Sequence, residues 1–99
     1  MQQTRDKRIF IAVGHGGKDP GAVSPDGLIV EAQCNWIVAK AMQGDLQRHG
    51  FQVKLSRGED EDDPLKKQIA ECNAYDPDLA VAVHTNAGGG SGFEVFYQS

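Results

Sequence analysis

Residues 8–17 read RIFIAVGHGG, and this stretch decides the fold. After Arg8 come five apolar residues, three of them β-branched, in an unbroken run. That is the pattern of a strand covered on both faces rather than one. The run breaks at Gly14-His15-Gly16-Gly17, and Asp19-Pro20-Gly21 and Pro25-Asp26-Gly27 follow, all loop and turn formers. A connection of about fifteen residues without periodicity is long for a small domain, and such loops are usually functional.

Outward from this stretch, a helix is expected over residues 28–49, where Val30, Cys34, Ile37 and Ala41 recur at the spacing of one buried face. Gly50 then suits a left-handed C-terminal cap. Residues 51–56 (FQVKLS) alternate apolar and polar, as a strand exposed on one side and near a sheet edge does. A second helix is expected from Asp63-Pro64, with Asp63 as its cap and Pro64 in its first turn, ending near Asn73. Residues 79–83 (LAVAV) read as another buried strand, ending at His84. A glycine-rich loop over 88–92 leads to a last strand at 93–97 (FEVFY). There are no internal repeats and no linker.

Strands alternating with helices imply an α/β fold with parallel pairing and right-handed crossovers. In such sheets ligands bind beyond the carboxyl ends of the strands. His15 lies two residues past the first strand and His84 at the end of the third. If those strands are neighbours, with the second outside, both imidazoles emerge at one edge. Glu31, in the first turn of the intervening helix, can reach the same edge. Two His and one Glu form a known catalytic zinc set that leaves a fourth position open. Imidazole with carboxylate suits zinc better than magnesium or calcium, which take oxygen ligands. Singly, each residue has another account: His15 and His84 as capping or loop residues, Glu31 as a favourable charge at a helix N-terminus. His49, beside Gly50, reads as a solvated or dipole-compensating side chain. The glycines at 14–17 follow a strand but lack the GxxxxGK[ST] pattern and an immediate helix, which counts against a phosphate cradle. Close backbone approach around a metal or substrate fits them at least as well.

The chain has 99 residues, enough for one small domain, and its 24% charged and 39% hydrophobic content is that of a globular protein. Its net charge of -4 and ten scattered basic residues count against nucleic acid, so no nucleic-acid partner is expected. The acidic run Glu59-Asp60-Glu61-Asp62-Asp63 lacks the alternating ligands and central Gly of a calcium loop, so it reads as a solvated loop. Cys34 and Cys72 fall inside expected helices and form no CxxC; they read as free buried thiols, with a disulfide left open. The start, MQQTRDKR, is polar, and the apolar run at 9–13 is too short for a signal peptide. Nothing approaches the length of a membrane span, so no membrane insertion is expected.

The stretches IFIAVGHGGKDPGAV, GLIVEAQCNW, FQVKLSRGED and LAVAVHTNAGGGSGFEVFY, in this order and spacing, resemble the zinc-dependent N-acetylmuramoyl-L-alanine amidases of the amidase 3 type. The likeness covers nearly all of the chain from Ile9 onward. It implies an α/β domain with a mostly parallel twisted sheet and flanking helices, of the phosphorylase/hydrolase-like kind. Residues 1–99 would be the N-terminal portion of a single catalytic domain, truncated before its end. It also implies zinc as cofactor, with His15, Glu31 and His84 as the metal ligands. The implied substrate is peptidoglycan, cut at the amide between N-acetylmuramic acid and the L-alanine of the stem peptide. The implied place of action is the cell wall, outside the cytoplasm, in lysis or remodelling, as in phage endolysins. With no signal peptide in the chain, export by other means, action as a phage lysin, or a leader trimmed from this sequence is expected.

The sequence departs from the family's pattern at Ala12-Val13, where an Asp or Asn is usual, at Gln68, where an Arg is usual, and at Ala82-Val83, where a small hydroxyl residue is common. None of these is a ligand, so they bear on the surroundings of the metal. The family's general base, a Glu, lies past the strand matching 93–97, beyond Ser99. Glu94 is the one nearby carboxylate, and it reads as a surface residue within a strand. No catalytic residue is therefore expected in this chain, which should bind zinc and by itself hydrolyse peptidoglycan poorly. A non-catalytic peptidoglycan-binding module with a structural metal is the alternative, and a metal-dependent hydrolase of another amide is a third.

Overall fold

A computed structural model describes residues 7–85 and 93–98. The elements run β1 (Arg8–Val13), α1 (Glu31–Arg48), β2 (Gln52–Leu55), α2 (Leu65–Tyr75), β3 (Leu79–Thr85) and β4 (Phe93–Gln98). The strands form one sheet in the order β2-β1-β3-β4. β1 pairs in parallel with both β2 and β3, and β4 joins β3 antiparallel. The α/β fold with a mostly parallel sheet is as the sequence implies, and β1 and β3 are neighbours with β2 at the edge.

β1 is apolar from Ile9 onward because both its faces are covered. Ile9, Ile11 and Val13 pack with Val81 and Val83 of β3 and Ala39 of α1, and Val38, Met42 and Leu46 close over them. Phe10 faces the other way and meets Tyr75 of α2, ring centroids 6.5 Å apart. The exposed-to-half-buried alternation of β2 fits its place at the edge.

α1 starts at Glu31 rather than 28, because Val30 is extended and bridges Val23 across the first loop. Its buried residues are Glu31, Ala32, Asn35 and Ala39, whereas Ile37 is 66% exposed. The expected face of Val30, Cys34, Ile37 and Ala41 is thus the neighbouring stripe. The cause is chemical: the first inward turns carry polar Glu31 and Asn35, so apolar periodicity alone selects the wrong side. The helix stops as expected. Gly50 has φ +94, the Phe51 amide bonds the Leu46 carbonyl at 3.1 Å, and the Gly50 amide bonds Gln47 at 3.0 Å, which closes a Schellman motif.

α2 begins at Leu65, and Asp63 does not cap it. The Asp63 carboxylate instead accepts the Ser56 hydroxyl at 2.6 Å, Lys67 Nζ at 3.0 Å and Gln68 Nε2 at 2.9 Å. Its side chain is wholly buried, and a charged donor with two neutral ones satisfies a buried carboxylate better than one helix amide would. β3 continues through His84 to Thr85, past the expected stop. The 88–92 loop lies outside the described residues, as does the side chain of Glu94, whose backbone pairs with that of His84. Cys34 and Cys72 are free thiols and half-buried rather than buried. No helix is long and apolar enough to cross a membrane.

Candidate metal centre

The first loop leaves β1 pinned to β3, since the Gly14 amide bonds the Val83 carbonyl at 3.0 Å. His15 follows with φ +60, a left-handed conformation seldom adopted by non-glycine residues and costly to hold. The loop then returns through Gly21, also left-handed with φ +67. A Cβ on Gly21 would stand 2.5 Å from the His15 ring and 2.8 Å from Glu31 Oε1; one on Gly14 would stand 2.6 Å from His84 Nδ1. These glycines serve close backbone approach to the two rings. The amides of Gly14 and Gly16 are spent on the carbonyls of Val83 and Asp19, which takes two donors away from any phosphate there.

His15, Glu31 and His84 meet at the sheet's carboxyl edge. His15 Nε2 is 3.3 Å from Glu31 Oε1, and His84 Nδ1 is 3.3 Å from Glu31 Oε2. The imidazoles lie edge to face with centroids 5.7 Å apart. One donor atom from each residue lies within 4.8 Å of the others, so the group could hold a metal ion. Among the described residues no other such group forms, and the acidic run at 59–63 makes none.

Glu31 is 7% exposed, and its Oε1 also accepts the Ala22 amide at 3.0 Å. Burial pushes its carboxyl up, but the Ala22 amide, the charge of His15 and hydrogen bonds from His84 and Asn35 outweigh it and hold it below the ordinary glutamate range. The site therefore presents an ionised carboxylate between two ring nitrogens. Asp19 meets the other nitrogen of His15, Nδ1, at 2.8 Å. A carboxylate on the far nitrogen fixes the ring and turns Nε2 inward, as at metal-bound histidines generally. Its hydrogen bond to His15, with help from the Gly21 amide, lowers the Asp19 pKa. Asn35, one turn past Glu31 and fully buried, donates Nδ2 to the Gly14 carbonyl at 2.9 Å.

The two histidines open on a shallow cleft of about 260 Å³ whose wall includes Ala12, Asp63 and Gln68. Two of the three departures from the family pattern, Ala12 and Gln68, thus border the cleft beside His15 and His84. His49 plays no part; its Nδ1 meets the Asp45 carbonyl at 2.8 Å, a local bond at the helix end. The acidic run is not simply solvated. Glu61 accepts the Gly58 amide at 2.9 Å, Asp62 accepts the Lys18 amide at 2.7 Å, and Asp63 is buried.

Sequence reasoning brought together His15, Glu31 and His84 but missed Asp19, Asn35, Ser56 and Arg57. Asp19 carried a signal in its place four residues after His15. Arg57 carried one as a lone basic residue before an acidic run.

A sequence profile described as N-acetylmuramoyl-L-alanine amidase matches residues 9–99. The N-acetylmuramoyl-L-alanine amidase CwlM of Bacillus licheniformis is 39% identical over 89 residues, which cover 88% of this chain and 34% of that protein. The endolysin of Bacillus phage SPP1 is 37% identical over 91 residues, covering 91% of this chain and 33% of its own. Among solved structures, the catalytic domain of the amidase CwlV from Bacillus (Paenibacillus) polymyxa var. colistinus aligns with TM-score 0.77 and 28% identity, over 85% of this chain and 48% of that one. The chain spans less than half the length of the curated relatives it matches.

Proposed function

Because the chain belongs to the N-acetylmuramoyl-L-alanine amidase family, we propose that His15, Glu31 and His84 hold a zinc ion and that the protein is a peptidoglycan amidase. The bond cut joins the lactyl group of N-acetylmuramic acid to the L-alanine of the stem peptide. Its place of work is the cell wall, outside the cytoplasm, in lysis or remodelling.

The observation that carries this is the convergence of His15, Glu31 and His84, one donor atom from each within 4.8 Å of the others, with a ring nitrogen on either side of the Glu31 carboxylate. Two imidazole nitrogens with one carboxylate are also a donor set suited to zinc.

A zinc ion held by His15, Glu31 and His84 would supply Lewis acidity to an amide carbonyl and to water. The chain's own residues prepare that place. Asp19 holds the His15 ring in one orientation, and Glu31 contributes a negative charge kept ionised by the Ala22 amide. Gly14 and Gly21 keep side chains out of the space the rings occupy. The carboxylates on the cleft wall are already engaged: Asp19 by His15, and Asp63 by Ser56, Lys67 and Gln68. We assign the role of general base to none of them.

Mass spectrometry of muropeptides incubated with the zinc-loaded full-length gene product tests the activity. The expected products are a muramyl sugar ending in a free lactyl carboxylate and a peptide ending in the free amine of L-alanine. Cleavage at another amide would overturn the substrate assignment. Muropeptides bound but left intact would favour a non-catalytic binding module.

A further inference from the structure

Arg57 is 4% exposed, yet it lies outside the proposed ligand set. Burying a guanidinium is costly, by several kcal/mol unless its donors are met. Here all are met, and by main-chain carbonyls alone. Nε donates to Val13 O at 3.3 Å, and Nη2 donates to Gly14 O at 3.2 Å and Ala32 O at 2.9 Å. Nη1 donates to Gly58 O at 2.9 Å and Glu59 O at 3.0 Å. Five acceptors match the five N–H donors that an arginine carries. Burial pushes the Arg57 pKa down, and the nearby charges of Asp63, Asp60 and Glu61 oppose it only in part.

The carbonyls it selects explain its use. Gly14 O belongs to the peptide unit that leads into His15, and Ala32 O follows directly after Glu31. One nitrogen, Nη2, therefore joins the backbone beside the first ligand to the backbone beside the second. Gly14 carries the link further, because its amide bonds Val83 O, the carbonyl just before His84. The planar fork also packs beneath Gly16, where a Cβ would stand 2.5 Å from Arg57 Nε. We propose that Arg57 is a positioning residue for the metal centre, a rigid clamp that sets the spacing of His15 and Glu31 before any ion binds.

A lysine keeps the charge but has one nitrogen, so it cannot span two elements with fixed geometry. This inference rests on the zinc assignment, and the experiment separates the two. Zinc affinity is measured by competition with a chromophoric chelator for the wild type and Arg57→Lys, at a temperature where circular dichroism shows both folded. The expected result is a loss of about 10–100-fold in affinity, the range for residues that orient ligands. A residue that merely supported the fold would lower the melting temperature of the metal-free protein and leave the affinity of the folded form unchanged. Equal affinity in folded Arg57→Lys overturns the clamp alone, whereas a wild type that takes up no zinc overturns the metal assignment and the clamp together. Should Arg57→Lys fail to fold, the wild type still decides the matter by nuclear magnetic resonance. Zinc should slow exchange of the Arg57 Nε proton with water, because ion and clamp stabilise the same loop. Identical exchange with and without zinc contradicts the proposal.

Discussion

The Ser56 hydroxyl accepts the Val13 amide at 2.9 Å, across the gap between β1 and the end of the edge strand. It donates in turn to Asp63 at 2.6 Å, so a single buried side chain joins the exit of β1 to the entry of α2. Ser56→Ala leaves a buried amide and a buried carboxylate each short of one partner. The expected loss is about 1–3 kcal/mol, read from the urea midpoint. A midpoint equal to that of the wild type would show that water replaces the hydroxyl at no cost.

Gly21→Ala combines two penalties. The backbone has φ +67, and the new methyl would lie within 2.8 Å of both the His15 ring and Glu31 Oε1. The strained backbone alone should cost about 1 kcal/mol or more. Because the clash falls on two of the proposed ligands, zinc affinity should drop as well. Chelator competition alongside thermal melting measures both, and an unchanged affinity would place Gly21 outside the metal centre.

The order of strands and helices was legible because each element obeys a local rule. β1 is covered on both faces and so lacks alternation; β2 is an edge strand and shows it. Gly50 ends α1 as a left-handed cap must. What the sequence concealed were polar groups turned inward. Asn35 and Glu31 moved the buried stripe of α1 away from Cys34 and Ile37, and Asp63 gave up a capping role for Ser56, Lys67 and Gln68. His15, Glu31 and His84 could be placed at one edge from topology, but Arg57 acts through hydrogen bonds that no spacing rule encodes, and Asp19 offered only its place four residues after His15.

Asp19 grips the Nδ1 of His15, and Asp19→Ala should free that ring to rotate. Zinc affinity is expected to fall by about 10-fold or more, with little change in the melting temperature of the metal-free protein, since Asp19 is exposed. A large loss of stability with intact zinc affinity would reverse the roles assigned here.

Lys67 sets an alkaline dependence. Its ammonium lies 3.0 Å from both Asp63 and Glu71. Burial lowers its pKa, but the hydrogen bonds to Asp63 and Glu71 outweigh this and raise it. A raised folded pKa means stability that is complete below the unfolded value of about 10.4 and is lost as pH climbs through the folded value. In urea titrations from neutral to strongly alkaline pH, the gap between wild type and Lys67→Gln should therefore be constant at first and then narrow. Tyr75 titrates in the same region in both proteins and cancels in the difference. A gap that widens with pH would contradict the sign.

Zinc content is the measurement that bears most directly on the central assignment. Purified wild type and His84→Ala are dialysed against the same buffered zinc and analysed by atomic emission. His84 sits on β3 with its Nδ1 3.3 Å from Glu31, and its removal takes one of three donors from the site. The account predicts close to one zinc per wild-type chain and little or none in folded His84→Ala. Equal zinc in the two proteins would contradict it.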